Sequence, residues 1–364
     1  MTNCGSIEIF KELAAEPSIP FKEWRVREKI WQIGTKFNLT PRSDQFGNLI
    51  FHISKGKNDI SIALVAHMDH PGFEITKVEN KGWVEGKILG GIEDNYLKDA
   101  ELIIFSDKRR VNGKVVDRLD DDRWKIKFIG KASPKIGDIA IFNLKDYVID
   151  GRYIYGRQVD DLIGCALGLE VFRRIYEYQS ELTAFDLYLI LTRAEEEGFI
   201  GTSGIISSKL LPKETFIINL EASKAINGIV PGNGPIIRVG DAQRTFNVEV
   251  ENILNSAYKE LSNQRKDIKV QRALMTGGMC EASAYQMLGN YKVTGLVIPL
   301  ENYHNQGESG LLIEEKASIE DIKTAEELLF LAIKGVKNLS KFEHKMVERL
   351  NAVFNEYKHK LIME

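Results

Sequence analysis

Four short stretches of this chain, residues 60–66, 185–191, 216–220 and 293–299, are apolar almost from end to end and rich in Val, Ile and Leu. A strand with one wet face alternates polar and apolar residues, whereas a strand without that alternation needs cover on both sides. Helix-like segments at 162–178 and 201–211 lie between the runs. Together they predict an α/β fold, a mostly parallel sheet flanked by helices. An amphipathic stretch over 7–37, with Phe10, Leu13, Val26, Ile30, Trp31 and Ile33 as its apolar members and an early break at Pro17 and Pro20, adds helix at the front. The turn signal Asp44-Gln45-Phe46-Gly47-Asn48 precedes a further strand at 49–53.

The stretch from about 78 to 155 has a different character. Short strands at 83–88, 102–105, 124–129 and 139–142 follow one another with Gly and charged turns between them and no convincing helix. This predicts a small all-β domain, barrel or sandwich, inserted into the α/β domain. The expected division is a catalytic domain made of 1–77 and 152–364 around an insert at 78–151. Within the insert, Asp120-Asp121-Asp122 reads as a solvated turn, with a cation site as the alternative. At the other end of the chain, Val347, Leu350, Phe354, Tyr357 and Leu361 recur at steps of three and four. That is a coiled-coil type of seam, suited to docking on its own domain or to pairing with another subunit.

What stands at the ends of the apolar strands carries the chemistry. Run 60–66 ends in His67-Met68-Asp69, and run 185–191 leads to Glu195-Glu196-Glu197-Gly198. Run 216–220 ends in Glu221, run 293–299 leads to His304, and Asp160-Asp161 opens the helix at 162. In open α/β sheets the ligand site lies beyond the carboxyl ends of the strands. Each residue alone has a plain reading: a satisfied histidine, acids in the first turn of a helix, an N-cap. So many carboxylates meeting at one edge would repel one another unless a cation neutralised them. Two imidazoles and several carboxylates suit Zn²⁺, with Co²⁺ or Mn²⁺ as alternatives. One ion does not need that many ligands. Two ions sharing a carboxylate do, and a further carboxylate is then needed to move a proton.

Composition removes other classes. With 364 residues and a formal net charge of −3, nothing attracts nucleic acid or an anionic membrane surface. No apolar run reaches the roughly 20 residues that span a bilayer. The first ten residues carry acids and lack an apolar core, so no signal peptide is expected. Three distant cysteines, Cys4, Cys165 and Cys280, neither close a disulfide set nor have metal-ligand spacing. A reducing, cytoplasmic setting is the expectation.

These residues resemble the co-catalytic metallopeptidases of the glutamyl-aminopeptidase and tetrahedral-aminopeptidase group, within the zinc exopeptidase clan. The motifs follow in the family's order: Asp44 to Asn48, His67-Met68-Asp69 with Gly72-Phe73, Gly90-Gly91, and Val159-Asp160-Asp161 with Gly164-Cys165. Glu195-Glu196 with Gly198 and Gly201, Gly232-Asn233-Gly234-Pro235-Ile236, and Ile298-Pro299-Leu300 before Tyr303-His304 complete the series. The resemblance implies an aminopeptidase that removes N-terminal residues from peptides, with two divalent ions per subunit and a homo-oligomeric assembly. It implies that His67 and Glu221 bind one ion, Glu196 and His304 the other, and Asp160 both. Glu195 would be the general base, and Asp69 would hydrogen-bond the second nitrogen of His67. Aligning Gly198 gives this register, while a slip of one residue would make Glu196 the base.

The chain departs from the family pattern at several positions. Glu221 stands where Asp is usual, and His70-Pro71 where Glu-Ile is common. Gly277-Gly278-Met279-Cys280-Glu281 replaces a Gly-Gly-Thr-Asp segment, and the helix beyond Lys337 is longer than usual. His70 is read as lying beside the ligands or at the surface rather than as a third imidazole ligand, and Cys280 is not read as a nucleophile. An N-acyl amino acid deacylase or dipeptidase of the same clan is the nearest rival reading. A non-catalytic metal-binding relative is the rival from another class.

Overall fold

The computed structural model describes residues 5–361 apart from 57–59, 80–81, 107–108, 121, 131–132, 182–184, 227 and 337–338. Cys4 and Asp121, named above, lie outside the described residues. The strands in chain order are β1 (Arg42–Ser43), β2 (Leu49–Lys55), β3 (Ser61–His67), β4 (Gly72–Val78), β5 (Trp83–Leu89), β6 (Glu101–Ser106), β7 (Arg109–Arg118), β8 (Arg123–Ile129) and β9 (Ile139–Phe142). They continue with β10 (Tyr147–Asp150), β11 (Tyr153–Gly156), β12 (Phe185–Thr192), β13 (Thr215–Lys224), β14 (Ile236–Gly240), β15 (Gln271–Leu274), β16 (Lys292–Glu301) and β17 (Glu315–Ser318). The α-helices are α1 (Ser6–Ala14), α2 (Trp24–Lys36), α3 (Asp94–Leu97), α4 (Val159–Tyr178), α5 (Ile200–Ser207), α6 (Val248–Gln264), α7 (Glu281–Gly289), α8 (Ile319–Gly335) and α9 (Leu339–Tyr357).

The four apolar runs form the centre of one large sheet, in the order β12-β3-β13-β16, all parallel. Every residue of β3 is buried. Its side chains do alternate, but between two apolar environments. Ile62, Leu64 and Ala66 join the core under α1, α4 and α8, while Ala63 and Val65 join the one that holds Ile205 of α5 and Tyr285 of α7. That double burial removes the polar-apolar period from the sequence. The flanks differ from the centre. β2 runs antiparallel to β12, and β17, β11 and β10 continue antiparallel beyond β16. The sheet as a whole is therefore mixed, because these edge strands are short or half-exposed and leave a weak sequence signal.

The all-β part is a closed barrel in the order β4-β5-β8-β7-β6-β9. Its strands run from Gly72 to Phe142 and enclose their own core around Phe73, Ile104, Trp124 and Ile126. β10, on the last residues of the expected insert, pairs with β11, which lies in the expected catalytic domain and pairs with β17 of the large sheet. Asp120 pairs with Arg123 and Asp122 with Lys87, both exposed, so these two acids have the solvated-turn role.

Two apolar patterns end up wet. Trp31, read with the apolar face of the front helices, is 40% exposed on α2. The seam side chains Val347, Leu350, Phe354 and Tyr357 on α9, with Leu361 beyond it, are all exposed. Among the described residues, no helix is long and apolar enough to cross a membrane.

The loop before β14 is locked by backbone. Gly234 has φ +93, and a Cβ there would lie 1.9 Å from the Lys269 carbonyl oxygen. Its N–H and that of Gly232 are both taken by the Asp321 carboxylate at the start of α8. Gly234→Ala is expected to cost about 3 kcal/mol, from strain plus overpacking. A lowered urea midpoint at unchanged slope is the measurement that checks it.

Candidate metal centre

Parallel strands deliver their carboxyl ends to one edge, and the register here is close. Thr192 of β12 lies opposite His67 of β3, while Asn219 of β13 lies opposite Val65, two residues before each strand's acid or imidazole. His67, Glu221 and the Glu195–Glu196 segment after β12 therefore stand side by side. His304 follows β16 in a turn whose residues Asn302, His304 and Asn305 all have positive φ, at 57, 54 and 62. Asp160 enters from the first turn of α4, next to Asp161.

Five of these side chains converge. His67 Nε2 lies 3.4 Å from Asp160 Oδ1 and 3.5 Å from Glu221 Oε1. His304 Nε2 lies 3.0 Å from Glu196 Oε1 and 3.5 Å from Asp160 Oδ2. Two ligand groups result, His67 with Asp160 and Glu221, and Asp160 with Glu196 and His304, so that Asp160 belongs to both. Glu195 shares a third grouping with His67 and Glu196. Asp160 Oδ1, Glu221 Oε2 and His304 Nε2 are buried without a hydrogen-bond partner. Buried polar atoms left over in this way are costly, and these face one another across the gaps between ligands. The donor set, imidazole nitrogen with carboxylate oxygen, fits divalent ions of the zinc type.

The outer atoms of both imidazoles are fixed. His304 Nδ1 lies 2.6 Å from the Gly91 carbonyl of the barrel, so it donates there and Nε2 faces inward bare. His67 Nδ1 donates to the main-chain carbonyl of Asp69 at 3.1 Å. The Asp69 carboxylate, expected in that role, is 3.8 Å away. It is occupied instead by the N–H groups of Glu195 at 3.0 Å and Glu196 at 3.1 Å. The fold turns one Asp69 oxygen to each of those N–H groups, and the imidazole proton goes to the carbonyl within its reach. Asp69 thus orients the Glu195–Glu196 backbone.

Further acids hold the frame, and two of them, Glu315 and Glu23, the sequence did not mark. Glu315 of β17 is fully buried and accepts from Val159 N, Asp160 N and His304 N. Glu23, also buried, accepts from Ala194 N and Arg193 Nε just before Glu195. Asp161 accepts from His67 N and Gly164 N. Glu281 braces the end of β12 by accepting from the Thr192 and Thr202 hydroxyls. Glu197 turns away from the cluster to accept from Gly90 N. Acids bonded to main-chain N–H groups look like surface acids in a sequence, and no spacing reveals them.

The electrostatics are those of a crowded anionic site. Burial would depress His67, but the charges of Glu195, Asp160 and Glu221 raise it well above the usual 6.5. His304 is raised likewise against burial, by Glu196 and Asp160. Burial would raise Asp160, yet His304 and His67 hold its carboxyl below the ordinary range. Burial lifts Glu221 to about 7 against the pull of His67. Burial also lifts Glu195 well above the ordinary carboxylate range, helped by the neighbouring charges of Glu221 and Glu196. Burial pushes the Cys280 thiol up to about 12, so it carries no thiolate at neutral pH and is no nucleophile.

The cluster opens into a cavity of about 320 Å³ lined by Phe199, Lys224, Ile226, Arg238, Met275 and Met279 among others. Arg238 is 3% exposed. Its guanidinium makes only long bonds to neutral acceptors, 3.3 Å to Gly240 O, 3.4 Å to Ser223 Oγ and 3.3 Å to Gly278 O. Among the described residues no carboxylate forms a salt bridge with it, and the charges of Glu221 and Asp241 act on it only from farther away.

The sequence profile of the M42 glutamyl aminopeptidase family matches residues 47–119 and 130–328. The chain is 25% identical over 350 residues to an inferred aminopeptidase of Acetivibrio thermocellus, an alignment covering 90% of this chain and 98% of that one. Its fold is similar to the TET aminopeptidase of a marine-sediment Thaumarchaeota archaeon, with TM-score 0.76, 20% identity, and coverage of 92% and 99%. It is also similar to the Pyrococcus horikoshii TET1 peptidase, with TM-score 0.74, 22% identity, and coverage of 90% and 99%; that protein can assemble into a tetrahedron or a large octahedral shell.

Proposed function

Because the chain belongs to the M42 glutamyl aminopeptidase family and is a metal-dependent aminopeptidase, we propose that each subunit works with two divalent ions, zinc before cobalt or manganese. The observation that carries this reading is the pair of ligand groups sharing Asp160, with coordinating atoms of Asp160, Glu221 and His304 left unpartnered. His67 and Glu221 would hold one ion and Glu196 and His304 the other, with Asp160 common to both groups. Divalent ions held there would supply Lewis-acid polarisation of the scissile carbonyl and of water. Glu195 takes the proton from the attacking water and returns it to the departing amine. Its burial supports that role, since a carboxyl lifted well above its ordinary range holds a proton more firmly and can pass it on to the leaving amine. Glu196 as ligand rather than base is supported by its 3.0 Å approach to His304 Nε2. A cytoplasmic homo-oligomer acting on peptides completes the reading. The buried free thiols of Cys165 and Cys280 support the reducing setting, and the shell-forming TET1 peptidase supports assembly.

The cavity supports a substrate preference. A buried guanidinium without a carboxylate partner, with Lys224 at the rim, suits an acidic side chain on the N-terminal residue. A panel of Glu-, Asp-, Leu- and Lys-p-nitroanilides, with free and acetylated amines, tests the whole reading. Cleavage of free-amine Glu and Asp substrates is expected. Activity confined to acetylated substrates would establish the deacylase instead, and metal binding without turnover would establish the non-catalytic relative. Arg238→Met is expected to lower kcat/KM for the Glu substrate by about 100-fold, as when one partner of a buried charge pair is removed. Turnover of the Leu substrate serves as the control.

Proton linkage gives a second test. The unfolded chain releases the Glu221 proton near 4.5 and the folded chain near 7, so folding is progressively disfavoured across that window. The raised imidazoles act in the same direction: their contribution is full below 6.5 and is lost as pH climbs through the folded values. Divalent ions displace these protons. The gap in Tm between metal-loaded and metal-free protein is therefore expected to widen from pH 5 to pH 8, read by calorimetry.

A further inference from the structure

His70 stands within the ligand frame, though none of the ligand groups includes it. It is 1% exposed, and its two ring nitrogens reach two different segments. Nδ1 lies 2.7 Å from the main-chain carbonyl of Asp160, and Nε2 lies 3.0 Å from Asn305 Oδ1. A carbonyl only accepts, so Nδ1 carries the proton there. Nε2 of the neutral ring is then an acceptor and calls for a donor. The NH₂ of Asn305, buried and otherwise without a partner, supplies it when the amide presents its nitrogen to the ring.

The same two segments are joined from the other side. Glu315 accepts from Asp160 N and His304 N, while His70 binds the Asp160 carbonyl and the residue after His304. The segment that carries His304 needs such holding. Left-handed backbone at a non-glycine residue costs of the order of 1–3 kcal/mol and persists only where surrounding bonds over-determine it. Here three such residues, Asn302, His304 and Asn305, fall within four positions. The neighbouring Pro71 bears on the same turn, since it packs against Gly90, and the Gly91 carbonyl then receives His304 Nδ1.

We propose that His70 is a positioning residue that, opposite Glu315, cross-ties the Asp160 segment to the His304 turn and so sets the ion position formed by Asp160, Glu196 and His304. The position formed by His67, Asp160 and Glu221 does not depend on the His304 turn. Glu315 still holds the Asp160 segment through Val159 N and Asp160 N, so loss of His70 is expected to act on the position that the His304 turn completes, which a general packing role would not do.

The test is a Co²⁺ titration of the metal-free full-length protein, followed by visible absorption, with metal-free Tm measured alongside. It rests on the two-ion reading, which the wild type examines by itself through the number of binding steps. In His70→Leu, one step is expected to weaken by about 10–100-fold, the usual effect of losing an outer partner of a ligand, while the other stays nearly unchanged. His70→Asn, whose amide can still donate to the Asp160 carbonyl, is expected to restore part of the loss. Asn305→Leu is expected to weaken the same step as His70→Leu. Unchanged steps in His70→Leu would overturn the inference. Equal weakening of both steps with a lowered metal-free Tm would also overturn it, as packing. A single step in the wild type would end the two-ion reading, and the role of His70 would then stand if that step weakens in His70→Leu and fall if it does not.

Discussion

Glu195→Gln lowers kcat by about 10²–10⁴-fold, the usual contribution of a positioned acid-base group, while both metal-binding steps remain. The substitution is nearly isosteric, and the backbone N–H of residue 195 stays on the Asp69 carboxylate. What it removes is the ability to hold and release a proton at a buried carboxyl that its surroundings lift well above its usual range. KM is expected to change little, because the cavity walls contributed by Arg238, Lys224 and Met275 are untouched. Steady-state kinetics with metal analysis on the same sample decides the matter. Equal loss of turnover and metal would mean that Glu195 is a ligand and that the register of the Glu195–Glu197 run is shifted.

Asp160→Asn acts at the opposite point. Asp160 is the one residue common to both ligand groups, with one oxygen toward His67 and the other toward His304. Replacing one oxygen by an NH₂ group sets a donor where an ion would need an acceptor. Both binding steps are expected to weaken by more than about 100-fold, beyond what an outer partner alone contributes. Turnover should fall to background at ordinary metal concentrations. Metal content after gel filtration and Co²⁺ titration are the measurements. Retention of one tight ion would show that Asp160 serves a single position.

The parallel centre of the sheet was legible because double burial writes it into the chain as unbroken apolar runs, 60–66 and 293–299 most clearly. The candidate ligands were legible for a related reason: parallel strands end at the same edge, so His67, Glu221 and His304 announce themselves by following an apolar run. The flanking strands were less so. β14 and β17 have 5 and 4 residues, too few to establish a period. The bonding of Asp69 could not be read, since the choice between its carboxylate and its carbonyl depends on which N–H groups the fold brings close. Glu315 and Glu23 were invisible, because composition does not distinguish an acid satisfied by backbone from one in water. Trp31 misled in the other direction, an apolar residue left at the surface.

The five candidate ligands come from positions spread between residues 67 and 304, on three parallel strand ends, a helix start and a strained turn. No local segment contains even one complete ligand group. Parallel pairing brings distant parts of the chain together only after long loops have closed, and such contacts form late. Metal capture is therefore a property of the finished sheet. A chain still emerging from the ribosome lacks the Asp160, Glu196 and His304 group until β16 and the His304 turn have been made and folded against β13, so that group is completed last.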